Sequence, residues 1–224
     1  MIASSWDTFP RSLGNPPRPK IIPSWSLDNV LSVLEEKSIP LDDRLARFNR
    51  ALFLVACAAS NRSDKLSAID KKYASFGDNA VVFGLKEVFL LKNQSQFNSI
   101  FMLRIPPLPD PPLGPVRAIG DYPADTQASS EPGPFLHPVS GKALNAGRLA
   151  YYLIEAIKGL LLDALPHAHV VRKLSTTHAF VAGVSADKII EAGSWRFTST
   201  FARKCLVPIV TPSSGRAILA RCRI

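Results

Sequence analysis

Residues 167–195 read HAHVVRKLSTTHAFVAGVSADKIIEAGSW, and the reading of the whole chain works outward from them. Apolar spacing predicts a helix from Val170 to Val181 that stops at Gly183, since glycine readily takes the left-handed conformation that closes helices. Ser185 is placed to cap a second helix, Ala186–Ala192, which Gly193 ends. His169 and Arg172 form a His-x-x-Arg pair at the head of the first helix, and Trp195 follows the second. Beyond it, Thr198 is expected to cap a last helix reaching about Leu206. From Pro208 the chain reads as a loose tail.

Upstream, Leu149–Leu162 has helical spacing with Leu153, Ile154, Ile157 and Leu161 facing inward. Ten of the 19 prolines fall between Pro106 and Pro138, so residues 106–138 predict a surface connection with one short helix at Val116–Tyr122. Leu66–Ile69, Ala80–Phe83 and Val88–Leu91 predict strands, the last two joined near Gly84. Ser26 should cap a helix whose face is Leu27, Val30, Leu31 and Leu34, with Pro40 closing that segment. A second helix from about Asp42 to Ala59 should bury Leu45, Phe48, Leu52 and Val55. Residues 1–22 read as an extended Pro-rich arm. The sum is an α+β domain over residues 23–207, mostly α-helical, with a small β-hairpin sheet.

Composition narrows the function. The net charge is +9, and residues 140–224 hold twelve Lys/Arg against four Asp/Glu, which places nearly all the excess there. A basic half-domain of this kind favours a polyanionic partner, most simply nucleic acid. The apolar runs Leu52–Ala59 and Leu160–Leu165 are too short to span a bilayer, so no membrane role is expected. Cys57, Cys205 and Cys222 have neither disulfide-framework nor zinc spacing, which points to an intracellular compartment. His167 and His169 lack a third metal ligand nearby.

Several segments, in order, resemble the catalytic domain of tyrosine recombinases, the DNA breaking-and-rejoining or phage-integrase family, and among these the recombinases of DIRS-type retrotransposons. Pro23-Ser-Trp-Ser-Leu-Asp-Asn-Val-Leu31 resembles the opening of those domains. Ala58–Ile69 resembles the segment bearing the family's first catalytic arginine, which implies that role for Arg62; the family usually has an acidic residue where Lys65 stands. Phe89-Leu-Leu-Lys-Asn-Gln94 resembles the hairpin of the catalytic lysine, here Lys92. Pro115–Tyr122 resembles the helix after the proline-rich crossing. His169-Val-Val-Arg172 matches the His-x-x-Arg motif, and Trp195 stands where the family has a second His or Trp. The resemblance covers about residues 23–207 and does not extend to the separate N-terminal DNA-clamping domain of full-length recombinases, which implies a fragment or a decayed copy.

Those residue types suit the chemistry that the resemblance implies. In-line attack on a phosphodiester spreads negative charge over the phosphate oxygens, and preorganised cations stabilise it. Arg62 and Arg172 offer fork-shaped donors for oxygen pairs. His169 can donate to phosphate or exchange a proton near neutral pH, and Trp195 can donate through its indole N–H. Lys92 would protonate the departing 5′ oxygen. Taken singly, each has an ordinary explanation: a solvated loop arginine, a surface lysine, a chance His-x-x-Arg, a partly buried tryptophan. Their order along the chain carries the reading.

The family's tyrosine nucleophile should follow Trp195 by nine or ten positions, which hold Lys204 and Cys205. Cys205 aligns best with the tyrosine, and Tyr73, Tyr122, Tyr151 and Tyr152 all precede the His-x-x-Arg. Two readings of that slot stay open. One is a decayed element keeping its fold and DNA affinity; the other is a cysteine nucleophile. The basic tail from Arg216 to Arg223 stands where relatives carry the segment that docks on a neighbouring protomer, so homo-oligomers on DNA are expected to be weakened. Double-stranded DNA is the expected partner, with no metal and no small-molecule cofactor, in the nucleus if the host is eukaryotic. The competing classes are a non-catalytic DNA-binding module of the same fold and a helical interaction protein whose charge is incidental. Only the last gives Arg62, Lys92, His169, Arg172 and Trp195 no reason to gather in space.

Overall fold

The computed structural model describes residues 25–40, 42–77, 80–85, 102–105, 113–122, 135, 137–161, 166–193, 195, 201–202 and 206. Helix α1, Leu27–Glu36, starts where Ser26 accepts a hydrogen bond from the Asn29 amide at 3.2 Å, and it buries Leu27, Val30 and Leu34. Helix α2, Arg44–Ala59, is capped in the same way by Asp43, which accepts from the Ala46 amide at 2.9 Å. Its stripe of Phe48, Leu52 and Val55 is fully buried. Leu45 is not: it is 48% exposed, one residue into the first turn and beyond the reach of the neighbours that cover Phe48.

The predicted strand at Leu66–Ile69 is corrected. Ser63–Ser67 forms the short helix α3, and strand β1 begins only at Ile69 and runs to Gly77. Asp64 lies in the first turn of α3, where a carboxylate meets the positive end of the helix, so the local charge favours helix over strand. Strand β2, Ala80–Leu85, pairs antiparallel with β1 on one side and with β3, Met102–Ile105, on the other. Gly84 makes no turn. It continues β2, paired with Asp70 and Met102, and an added Cβ would stand 2.5 Å from Tyr73 Cβ, so glycine is there for close approach. The predicted strand at Val88–Leu91 lies outside the described residues.

Helix α4, Pro115–Gly120, carries proline at its first position, where no N–H is needed. Helix α5, Ala146–Leu160, is capped by Asn145 and buries Leu149, Leu153 and Ile157; Ile154 and Leu161 are half-buried. Helix α6, Ala168–Val181, and helix α7, Ala186–Gly193, flank Gly183, whose φ of +90° is the expected left-handed stop. The Thr198-capped helix lies outside the described residues apart from Phe201 and Ala202, which are helical.

Phe48 is the hub of the main core. The rings of Tyr122, Phe135 and Tyr152 lie 5.0–6.3 Å from it, two of them edge-on. Val170 and Val171 bring the head of α6 into the same cluster. A second, smaller cluster forms at the far end, where Ile189 and Phe201 are buried with Ala179, Ile190, Trp195 and Leu206 packed around them. The architecture is mostly helical α+β with one small antiparallel sheet, as the sequence predicts. Among the described residues, no helix is long and apolar enough to cross a membrane.

Candidate functional site

The seam between the two clusters holds the expected site. Arg172 stands one turn into α6, directly after the buried Val170 and Val171. Its Nη2 donates to the Gly193 carbonyl at 2.5 Å, and its Cζ lies 3.9 Å from the centre of the Trp195 ring. Gly193 ends α7, so this oxygen is at the negative end of a helix, where a cation is favoured. The indole face adds cation–π attraction on the other side. Glycine at 193 is required by this packing: a Cβ there would overlap the six-membered ring of Trp195. Trp195 itself is fixed by its amide, which donates to the Ile190 carbonyl at 3.0 Å, and by Phe201, 5.4 Å away ring to ring.

His169 lies in the first turn of α6, exposed, three residues before Arg172. Arg62 is the extended residue before α3, also exposed, and makes no side-chain capping bond. Two contacts hold this segment against α6. Ser60, which closes α2 with φ of 49°, places its hydroxyl 3.3 Å from that of Ser175. Lys65, in α3, lies close enough to Arg172 for their charges to repel. The structure therefore brings Arg172 and Trp195 into contact and sets the Arg62 segment against the same helix. Lys92, Lys204 and Cys205 lie outside the described residues.

Three features were not read from sequence as parts of the site. Lys65 is 3% exposed, and burial, reinforced by Arg172 and partly offset by Asp64, lowers its pKa from 10.5 to about 7. Its departure from the family's acidic residue was the available signal. Asn61 is buried, and neither amide atom has a hydrogen bond among the described residues. Ser175, Thr176 and Thr177 are buried within a polar-looking stretch because their hydroxyls donate to the carbonyls of Arg172 and Lys173 one turn back. Cys57 offers no reactive thiol; burial pushes its pKa up. No group of three or more metal-ligating side chains forms among the described residues.

This arrangement, helices around a small antiparallel sheet with His-x-x-Arg at a helix head, is the fold of tyrosine recombinase catalytic domains. XerA recombinase superposes with a TM-score of 0.64 at 14% identity, over 97% of this chain and 70% of its own. The XerH site-specific recombinase, in its pre-cleavage complex with the difH substrate, gives 0.57 at 12% identity over 77% of this chain; the chain spans only 46% of that protein. The Tn1549 transposon integrase, bound to transposon right-end DNA, gives 0.54 at 14% identity, over 95% of this chain and 69% of its own. At such identities the likeness is one of fold. No family model and no curated protein matches the sequence.

Proposed function

We propose that this chain is the catalytic-type domain of a DNA recombinase or integrase from a mobile element, closest in sequence to DIRS-type retrotransposons, which binds double-stranded DNA but has lost its nucleophile. The observation that carries the reading is Arg172, held between the Gly193 carbonyl and the Trp195 ring inside a recombinase fold. A guanidinium fixed in a partly buried seam is what phosphoryl transfer needs: a cation already in place where charge develops. Arg62 and His169 supply further donors to the same phosphate in this reading. Lys92 would serve as proton donor to the leaving oxygen. The basic excess of residues 140–224 would track the DNA backbone. Self-association on DNA is expected to be weak, and residence nuclear in a eukaryotic host.

With Lys204 and Cys205 in the slot, the family's covalent step has no phenol to carry it. Cysteine is shorter than tyrosine by a ring, and near-attack geometry tolerates about an ångström of misplacement. The test is incubation with nicked duplex substrates that trap covalent protein–DNA adducts. Salt-sensitive binding without an adduct is expected, and Cys205→Tyr should gain some cleavage. Gain by Lys204→Tyr instead would shift the slot by one. An adduct from the unmodified chain that Cys205→Ala abolishes would replace the lost-nucleophile reading with a thiol nucleophile. Failure to bind duplex DNA at low salt would overturn the function altogether.

A further inference from the structure

Lys65 is a buried cation placed beside another cation. It sits in α3, three residues after Arg62, and faces Arg172 from across the seam. Burial and the guanidinium both oppose its charge; of the described groups around it, only Asp64 favours it. The titratable groups on the elements packed near it are few. Arg62 and Asp64 belong to its own segment, Arg172 and the exposed His169 to α6, Tyr152 to the buried face of α5, and Asp70 to the start of β1. Arg172 stays charged at any accessible pH, so the variable member is Lys65. One turn earlier lies Asn61, equally buried, its amide without a hydrogen bond among the described residues. A segment carrying a buried ammonium and a buried amide next to a fixed guanidinium is a donor-rich lining for an oxyanion.

We propose that a phosphate arriving at Arg172 draws a proton from solvent onto Lys65 Nζ, so that the two residues form a proton-coupled phosphate seat. The physical basis is reversal of the local field. Without an anion, the second positive charge meets desolvation and like-charge repulsion, and the amine is largely neutral just above neutral pH. A phosphate between or beside the two groups offsets both terms and favours the ammonium. One proton moves and no covalent bond forms or breaks. The inference rests on the reading that Arg172 meets a DNA phosphate, and it adds that the encounter is charged only on contact.

The experiment is calorimetry of the full chain with a duplex oligonucleotide near pH 8, in two buffers of different ionisation enthalpy. Uptake approaching one proton per bound chain is expected, with affinity falling by up to about tenfold per pH unit between roughly pH 7.5 and 9. In Lys65→Met the uptake and the added pH slope should vanish while salt-sensitive binding persists. Lys65→Arg, permanently charged, should also bind without uptake, and it serves the comparison should the methionine variant not fold. Binding by the unmodified chain with no proton uptake overturns this inference and leaves the phosphate reading standing. Uptake that persists in both variants assigns the proton elsewhere and overturns it too. Absence of any binding at low salt overturns both.

Discussion

Around Phe48 the chain is held by breadth. Helices α1, α2, α4 and α5 and the sheet all contribute, and aromatic rings meet one side chain from several directions. Around Trp195 it is held by few parts: two buried side chains, a handful of half-buried neighbours, and one guanidinium bridging to a helix end. The first region would survive losing any peripheral contact. The second depends on particular atoms, and the candidate site lies against it. Rigidity in the body and specificity at the seam are thus supplied by different physics, area burial in one and aimed polar contacts in the other.

The largest effect should come from Phe48→Ala, a cavity at the hub, which should cost about 3–5 kcal/mol of global stability in denaturant titration. Phe201→Ala removes as large a ring, fully buried in the small cluster. Its signature should be local: hydrogen exchange accelerated in α7 and the end of α6, with the midpoint of global unfolding moved less. Equal global losses from the two variants would break the distinction between the regions.

Next in size is a gain. Lys65→Met should raise stability at pH 7 by about 1–4 kcal/mol, as replacing buried charge by apolar volume often does. The sign with pH follows from a folded pKa of about 7 beneath an unfolded 10.5. Above 10.5 the amine is neutral in both states. As pH falls toward 7 the unfolded chain takes the proton and the folded chain does not, so stability falls across that window and levels off below it. The difference between variant and unmodified protein should therefore shrink from pH 7 to pH 10; a constant difference would show that Lys65 keeps its charge in the fold.

Gly193→Ala comes third, at about 1–3 kcal/mol, the usual cost of forcing volume into a packed contact. Because the methyl would displace the Trp195 ring, tryptophan fluorescence should change and DNA affinity should drop toward that of Arg172→Ala. A stable variant with unchanged affinity would remove Trp195 from the positioning of Arg172. The smallest effect expected is the coupling between Ser60→Ala and Ser175→Ala. A double-mutant cycle should give about 0.5–1.5 kcal/mol for that hydroxyl pair. No coupling would leave Lys65 as the remaining described tie between α3 and the Arg172 face.

What sequence reading reached and missed divides along the same line. Helices α1, α5, α6 and α7 were legible because caps and glycine stops coincide with a 3.6-residue apolar period. Leu66–Ile69 misled because four apolar or small residues look alike in a strand and in the last turn of a helix, and Asp64 was the neglected cue. Strand β1 was passed over since Asp70, Lys71, Lys72 and Tyr73 lack the alternation of a half-buried strand; it is an edge strand, with a register shift inside it. Gly84 was taken for a turn, whereas its missing side chain answers the approach of Tyr73 across the sheet. In the site, Arg172 and Trp195 were identified from motif order, but their contact through Gly193 and the burial of Lys65 depend on tertiary neighbours that no local pattern encodes.

The Arg172–Gly193 bond has a consequence for how this surface tolerates change. Its acceptor is a main-chain oxygen, so no exchange of side chains along α7 can delete it. What must persist is only that the helix ends at that point and that position 193 stays bare enough for an indole to rest on it. An anchor of that kind is written in the path of the backbone rather than in the alphabet of residues. A lineage could rewrite most of α7 and still inherit the same aimed guanidinium.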